Sequence, residues 1–186
     1  KQPALALAAD HAAQVSVSPK EGTFEEGSTF DVPIYVNTLK NSVNAVELRI
    51  KFSPDTLSVV RPSGGKSIIG LWVEPPSYDN TKGTVDIVGA IPGGIISDSG
   101  LIGTITFKAK AAGQAMVEVR NTSQVLLDDG AGTPTTLTYN RGLYTILPKP
   151  PGGVVVLSDT HPFQDRWYNN SNVTLAWNKD PSVTGF

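Results

Sequence analysis

Cysteine is absent from this chain of 186 residues, and histidine and methionine are scarce, at two and one. Without cysteine there is no disulfide, no thiolate metal ligand and no thiol nucleophile. The two histidines, His11 and His161, stand near opposite ends of the chain. A Ser-His-Asp arrangement within the long middle segment is therefore excluded. Long apolar runs are missing too, since no stretch approaches the ~18–20 residues of a membrane-spanning helix. Positive charge is not in excess: 15 Lys and Arg against 17 Asp and Glu leave a formal net charge of −2. With no basic stripe, nucleic acid is not an expected partner. A sustained helical period is absent as well.

What is present is alternation. Val15 and Val17 alternate with Ser16 and Ser18, and Val32, Ile34 and Val36 share one face of 30-FDVPIYVNT-38. The stretch 43-VNAVELRIKF-52 alternates again, and Pro54 and Asp55 separate it from a second short strand ending at Val60. Further strands are expected at Ile68 to Val73, 84-TVDIVGA-90, 101-LIGTITFKAK-110, 115-AMVEVRN-121 and 143-LYTIL-147. About nine strands at this spacing, rich in Val, Ile and Thr, predict an all-β jelly-roll sandwich. The segment 74-EPPSYDN-80 reads as an insertion-like loop.

The domain plan follows from composition. Residues 1–14, with their short Ala/Leu run, read as a leader or signal-peptide remnant. Residues 15–147 form the main β domain. The Pro/Gly stretch 148–153 is a linker. Residues 154–186 are too few for a stable sandwich of their own and read as the truncated start of a second, immunoglobulin-like β domain.

Chemistry-bearing clusters are few. Asp128 and Asp129 precede Gly130 and read as turn formers, as do Asp79, Asn80 and Asp98. None fits the twelve-residue calcium loop, and no carboxylate pair is placed for glycoside hydrolysis. Neither an enzyme nor a cofactor is implied. Asn121-Thr122-Ser123 matches the glycosylation triplet, a pattern common by chance. Trp72 reads as a core residue beside Ile68, Ile69 and Leu71. The outward side of 43-VNAVELRIKF-52 carries Glu47, Arg49 and Lys51, and such a face meets either water or a partner.

The order of strands and turns resembles the cohesin domain, the scaffoldin module that captures dockerins, over residues 14–147. The resemblance is carried by 21-EGTFEEGSTFDVPIYV-36, by 52-FSPDTLSVV-60, in which Ser53 stands where Asp is usual, and above all by 98-DSGLIGTITFKAKAAG-113. It implies a nine-stranded jelly roll whose dockerin docks on one sheet face, including the strand before the Phe52-Ser53-Pro54 turn. By that carry-over Glu47 and Arg49 are partner-binding residues. Alternation adds Asp86, Val88, Glu118 and Arg120. The implied function is a non-catalytic binding module of an exported bacterial multidomain protein, secreted or at the cell surface, that recruits dockerin-bearing partners for polysaccharide degradation. A carbohydrate-binding module using Trp72 or Tyr78, and a structural spacer, are the other readings that such a sandwich allows.

Overall fold

The computed structural model describes residues 11–63, 65–150, 152–153, 155–163 and 165–178. Residues 1–10 of the expected leader lie outside these. Two compact units divide at residues 148 and 149. The first is an all-β sandwich. One sheet has the order β11-β1-β3-β8-β5, made of Thr136–Tyr139, Ala12–Val17, Thr29–Asn37, Gly100–Ala109 and Leu57–Ser63. The other has the order β2-β12-β9-β4-β7-β6, made of Glu21–Glu25, Arg141–Leu147, Gly113–Val119, Val43–Phe52, Thr84–Ile95 and Leu71–Asp79. A short strand, β10 (Gln124–Leu127), joins this second sheet beside β4. Among the described residues no helix is long and apolar enough to cross a membrane.

The alternation read from the sequence is the burial pattern of the structure. Val46, Leu48, Ile50 and Phe52 of β4 are buried, as are Val32, Ile34 and Val36 of β3, and between the sheets they meet Val85, Ile87, Ile105 and Phe107. At one end an aromatic cluster bridges the sheets. Phe52 meets Phe107 edge-on at 5.3 Å between centroids, Phe107 lies 6.1 Å from Phe30, and Phe30 stacks on Phe24 at 3.7 Å. Tyr144 contacts both Phe24 and Phe30, and its hydroxyl donates to the Pro19 carbonyl at 2.9 Å. Burial pushes this phenol up to about 12.

The sequence differs from the structure in its edges. β1 begins at Ala12, inside the stretch read as a leader. β2, β10 and β11 are additional short strands. The segment 74-EPPSYDN-80 is not an insertion-like loop: all but Asn80 belong to β6, paired with β7 through two register shifts. Prolines are tolerated there because an edge strand leaves one row of N–H groups unused, and bulges absorb the broken period. Ile68 and Ile69 precede the strand rather than belonging to it. Ile69 is buried and Trp72 packs against the core, as expected for that ring.

The second unit contains one described antiparallel pair, β13 (Val156–Leu157) and β14 (Ala176–Trp177). Beside it Tyr168 meets His161 edge-on at 4.7 Å, and its hydroxyl accepts from the Phe163 backbone N–H at 2.8 Å.

Candidate functional site

The outer face of the β6-β7-β4 sheet, continued by β10 and β9, gathers the residues singled out from the sequence. Directly opposed residues in antiparallel strands share a face, so the register builds this surface row by row. The first row runs Leu71, Ala90, Ala45, Leu126 across β6, β7, β4 and β10. The second runs Glu74, Val88, Glu47, Gln124. The third pairs Ser77 with Asp86 and Asp86 with Arg49. The fourth runs Asp79, Thr84, Lys51, Glu118, Arg141, reaching β9 and β12.

Five of the six predicted residues thus lie in these rows: Glu47, Arg49, Asp86 and Val88 adjoin one another, and Glu118 lies in the next row, opposite Lys51. Arg120 does not belong to the strand predicted over 115–121. β9 ends at Val119, and Arg120 starts a turn whose N–H donates to the Arg49 carbonyl at 2.7 Å. Residues that alternation did not supply are Leu71 and Glu74 on β6 and Gln124 and Leu126 on β10. The legible signal for Leu71 was its apolar neighbourhood, which also described a buried run. In the structure Leu71 is 58% exposed.

Arg49 organises the charges. Its guanidinium reaches Glu47 at 2.5 Å and Asp86 at 3.2 Å, with all three side chains half-exposed. Exposed pairs of this kind stabilise a fold by only ~0.2–1 kcal/mol each. Their effect is to hold three side chains in one arrangement. The rows from Leu71 to Asp86 carry the carboxylates of Glu74, Glu47 and Asp86, the last two on a single guanidinium, beside a strip of four apolar side chains. An apolar patch flanked by charged side chains is the composition of a protein interface. On this face, among the described residues, no ring platform for a sugar is assembled, because Trp72 packs against the core and Tyr78, although 44% exposed, pairs with inward-facing Val85 and so stands outside these rows.

Ser53 performs a specific task at the end of β4. Its backbone N–H donates to the Met116 carbonyl at 3.1 Å, and its hydroxyl accepts from the Met116 N–H at 3.1 Å. The strand end is thereby fixed to β9 by a side chain that needs no charge.

The loop after β10 borders the apolar row. Asp129 shapes it by accepting from the Ala131 and Gly132 N–H groups, at 2.9 and 3.0 Å, and from the Thr133 hydroxyl. The hydroxyl and then these N–H groups hold its carboxyl down at about 2, against an ordinary 3.8. A depressed folded-state pKa means that its stabilising contribution is present above about pH 4 and is lost as pH falls toward 2. Carboxyl titration by NMR is expected to show this depression. Asp129→Ala is expected to remove part of the loss of thermal stability between those two pH values, whereas an unchanged acid limb would assign that loss to other groups.

Among the described residues no group of three His, Asp or Glu is gathered as a metal site would require. Comparison with known proteins agrees with the sandwich fold. The profile of the cohesin domain matches residues 13–146. The chain belongs to the cohesin family, a class of non-catalytic protein-binding modules. No curated protein sequence matches it.

Solved structures share its fold. The type I cohesin–dockerin complex Coh-OlpC-Doc435 from Clostridium thermocellum matches with a TM-score of 0.63 at 15% identity, covering 77% of this chain and 99% of that one. The third cohesin ScaC of Acetivibrio cellulolyticus, solved with the ScaB dockerin, matches at 0.57 and 19%, covering 73% and 99%. The non-cellulosomal cohesin of the archaeon Archaeoglobus fulgidus matches at 0.58 and 14%, covering 73% and 91%.

Proposed function

We propose that residues 15–147 capture a dockerin-bearing protein on the outer face of β6-β7-β4-β10. The observation that carries this reading is the apolar strip Leu71, Ala90, Ala45, Leu126 lying against the Glu47–Arg49–Asp86 cluster, on the strand that leads into the Phe52-Ser53-Pro54 turn. Family membership and the dockerin complexes of similar cohesins support it. A strand face braced by a packed core is already shaped for its partner, so little ordering entropy opposes binding. The interface is of standard size, ~1,200–2,000 Å² in total. The surplus of carboxylates in the first three rows favours a dockerin surface that presents aliphatic side chains flanked by Lys or Arg, and such steering weakens with salt. Glu118 and Arg120 then form the rim.

The parent protein is read as exported, with residues 154–186 opening a second β domain and with captured partners that act on polysaccharide. Calorimetry against dockerins encoded by the source organism tests the binding. The double variant Glu47→Ala/Arg49→Ala is expected to weaken affinity by ~10–100-fold. Unchanged affinity in a chain that binds a dockerin would move the site elsewhere.

A further inference from the structure

Ser123 is 6% exposed, yet it closes the triplet Asn121-Thr122-Ser123 in a turn. Its position explains the burial. β9 pairs with β4 as far as Val119 opposite Ile50, and β10 resumes the pairing at Gln124 opposite Glu47. The chain leaves β4 between these points. In a continuous antiparallel ladder Arg120 and Arg49 would exchange both backbone bonds. Only one forms, from the Arg120 N–H to the Arg49 carbonyl at 2.7 Å. The Arg120 carbonyl instead accepts from the Ser123 N–H at 3.0 Å, closing the turn. That would leave the Arg49 N–H without its acceptor. The Ser123 hydroxyl oxygen takes the place, accepting from the Arg49 N–H at 2.9 Å and donating to the Arg49 carbonyl at 3.2 Å.

Because both backbone groups of Arg49 turn toward this flank, Arg49 and Asp86 on the other flank form a pair without mutual backbone bonds. Side chains are closest in pairs of that kind, and here the guanidinium meets the Asp86 carboxylate at 3.2 Å. The backbone position of Arg49 therefore sets the reach of its side chain to Glu47 and Asp86. We propose that Ser123 is a positioning residue of the docking site, replacing a missing strand acceptor so that Arg49 holds Glu47 and Asp86 in the arrangement a dockerin meets. This rests on the docking reading of the face. Ser123 itself lies behind that surface and acts through Arg49.

The test is a double-mutant cycle on a chain covering residues 1–186, with calorimetry against a dockerin from the source organism that the unaltered chain binds. Ser123→Ala is expected to weaken binding about 5–10-fold, a coupling of the size seen for residues in one hydrogen-bonded network. Ser123→Thr, which keeps the hydroxyl, is expected to restore it. In an Arg49→Ala background Ser123→Ala is expected to change affinity no further. If Ser123→Ala proves unstable, Ser123→Cys keeps a side chain of the same shape, slightly larger and with a weak acceptor, and is expected to weaken binding in the same direction. A lower melting temperature with unchanged affinity would make Ser123 merely structural and overturn the proposal, as would losses that add fully in the Arg49→Ala background. If Arg49→Ala itself leaves affinity unchanged, the docking role of Arg49 fails first. Weakening by Arg49→Ala without weakening by Ser123→Ala overturns the positioning role alone.

Discussion

Ala90→Arg is expected to abolish dockerin capture, lowering affinity by at least ~100-fold while the domain stays folded. Ala90 sits between Leu71 of β6 and Ala45 of β4, on the outward side of β7. Its methyl group and that of Ala45 let a partner's backbone or helix come close to the sheet. An arginine there adds a long side chain at the centre of the contact, and it places a cation in the apolar row. Glu47 and Asp86 are already engaged by Arg49. The new guanidinium would be desolvated beneath a partner in a row that holds no carboxylate, and Glu74 of the adjoining row could offset only part of that cost of several kcal/mol. The fold should tolerate the change, because an outward strand position away from special geometry shifts stability by about 0.5 kcal/mol or less. Thr104→Arg on the outward side of β8, in the opposite sheet, is the matched control and should leave affinity unaltered. Calorimetry with thermal melts on both variants decides the matter. Equal loss in the two would indicate a general charge effect, and no loss at Ala90 would place the dockerin on another face.

The central strands of the candidate site were legible in the sequence and its borders were not. Period two in 43-VNAVELRIKF-52 separates Leu48, Ile50 and Phe52 from Glu47, Arg49 and Lys51, because one side of the strand must be buried. The same argument placed Asp86 and Val88. It failed at Arg120, since alternation carries no information about where a strand leaves its neighbour, and the chain departs after Val119 to make the Ser123 turn. It failed more completely on β6. Pro75 and Pro76 and two register shifts interrupt the period, so an edge strand read as an apolar run followed by a loop, and Leu71 and Glu74 were assigned to neither face. β10 is only four residues long, and what defines it is pairing with β4 some eighty positions earlier. Such pairing is a tertiary property with almost no local signature. Ser53 shows the converse case. A departure from the family's Asp keeps a polar side chain that bonds the Met116 N–H, so the turn holds without the carboxylate.

Phe107→Ala is expected to destabilise the domain by ~3–5 kcal/mol. Phe107 is fully buried on β8, and it joins Phe52, at the end of the candidate docking strand, to Phe30 and through it to Phe24 and Tyr144. Truncation removes both ring contacts of this bridging residue, each worth ~0.5–1.5 kcal/mol beyond its buried area, and it opens a cavity between two sheets whose backbones are fixed by their ladders. The neighbouring rings can fill little of it, since Phe24 and Phe30 are held in a stack and Tyr144 is tied through its hydroxyl to Pro19. Denaturant titration should show a lower midpoint with an unchanged slope, the signature of lost stability without altered compactness. A loss below about 1.5 kcal/mol would mean that the cluster collapses into the gap. Because β4 is held on its two flanks by β7, β9 and β10, and only from beneath by this cluster, the fraction that remains folded should still bind a dockerin nearly as the unaltered chain does. Large stability loss with small affinity loss at Phe107, set against large affinity loss with small stability loss at Ala90, would separate the core that supports the strand from the face that the strand presents.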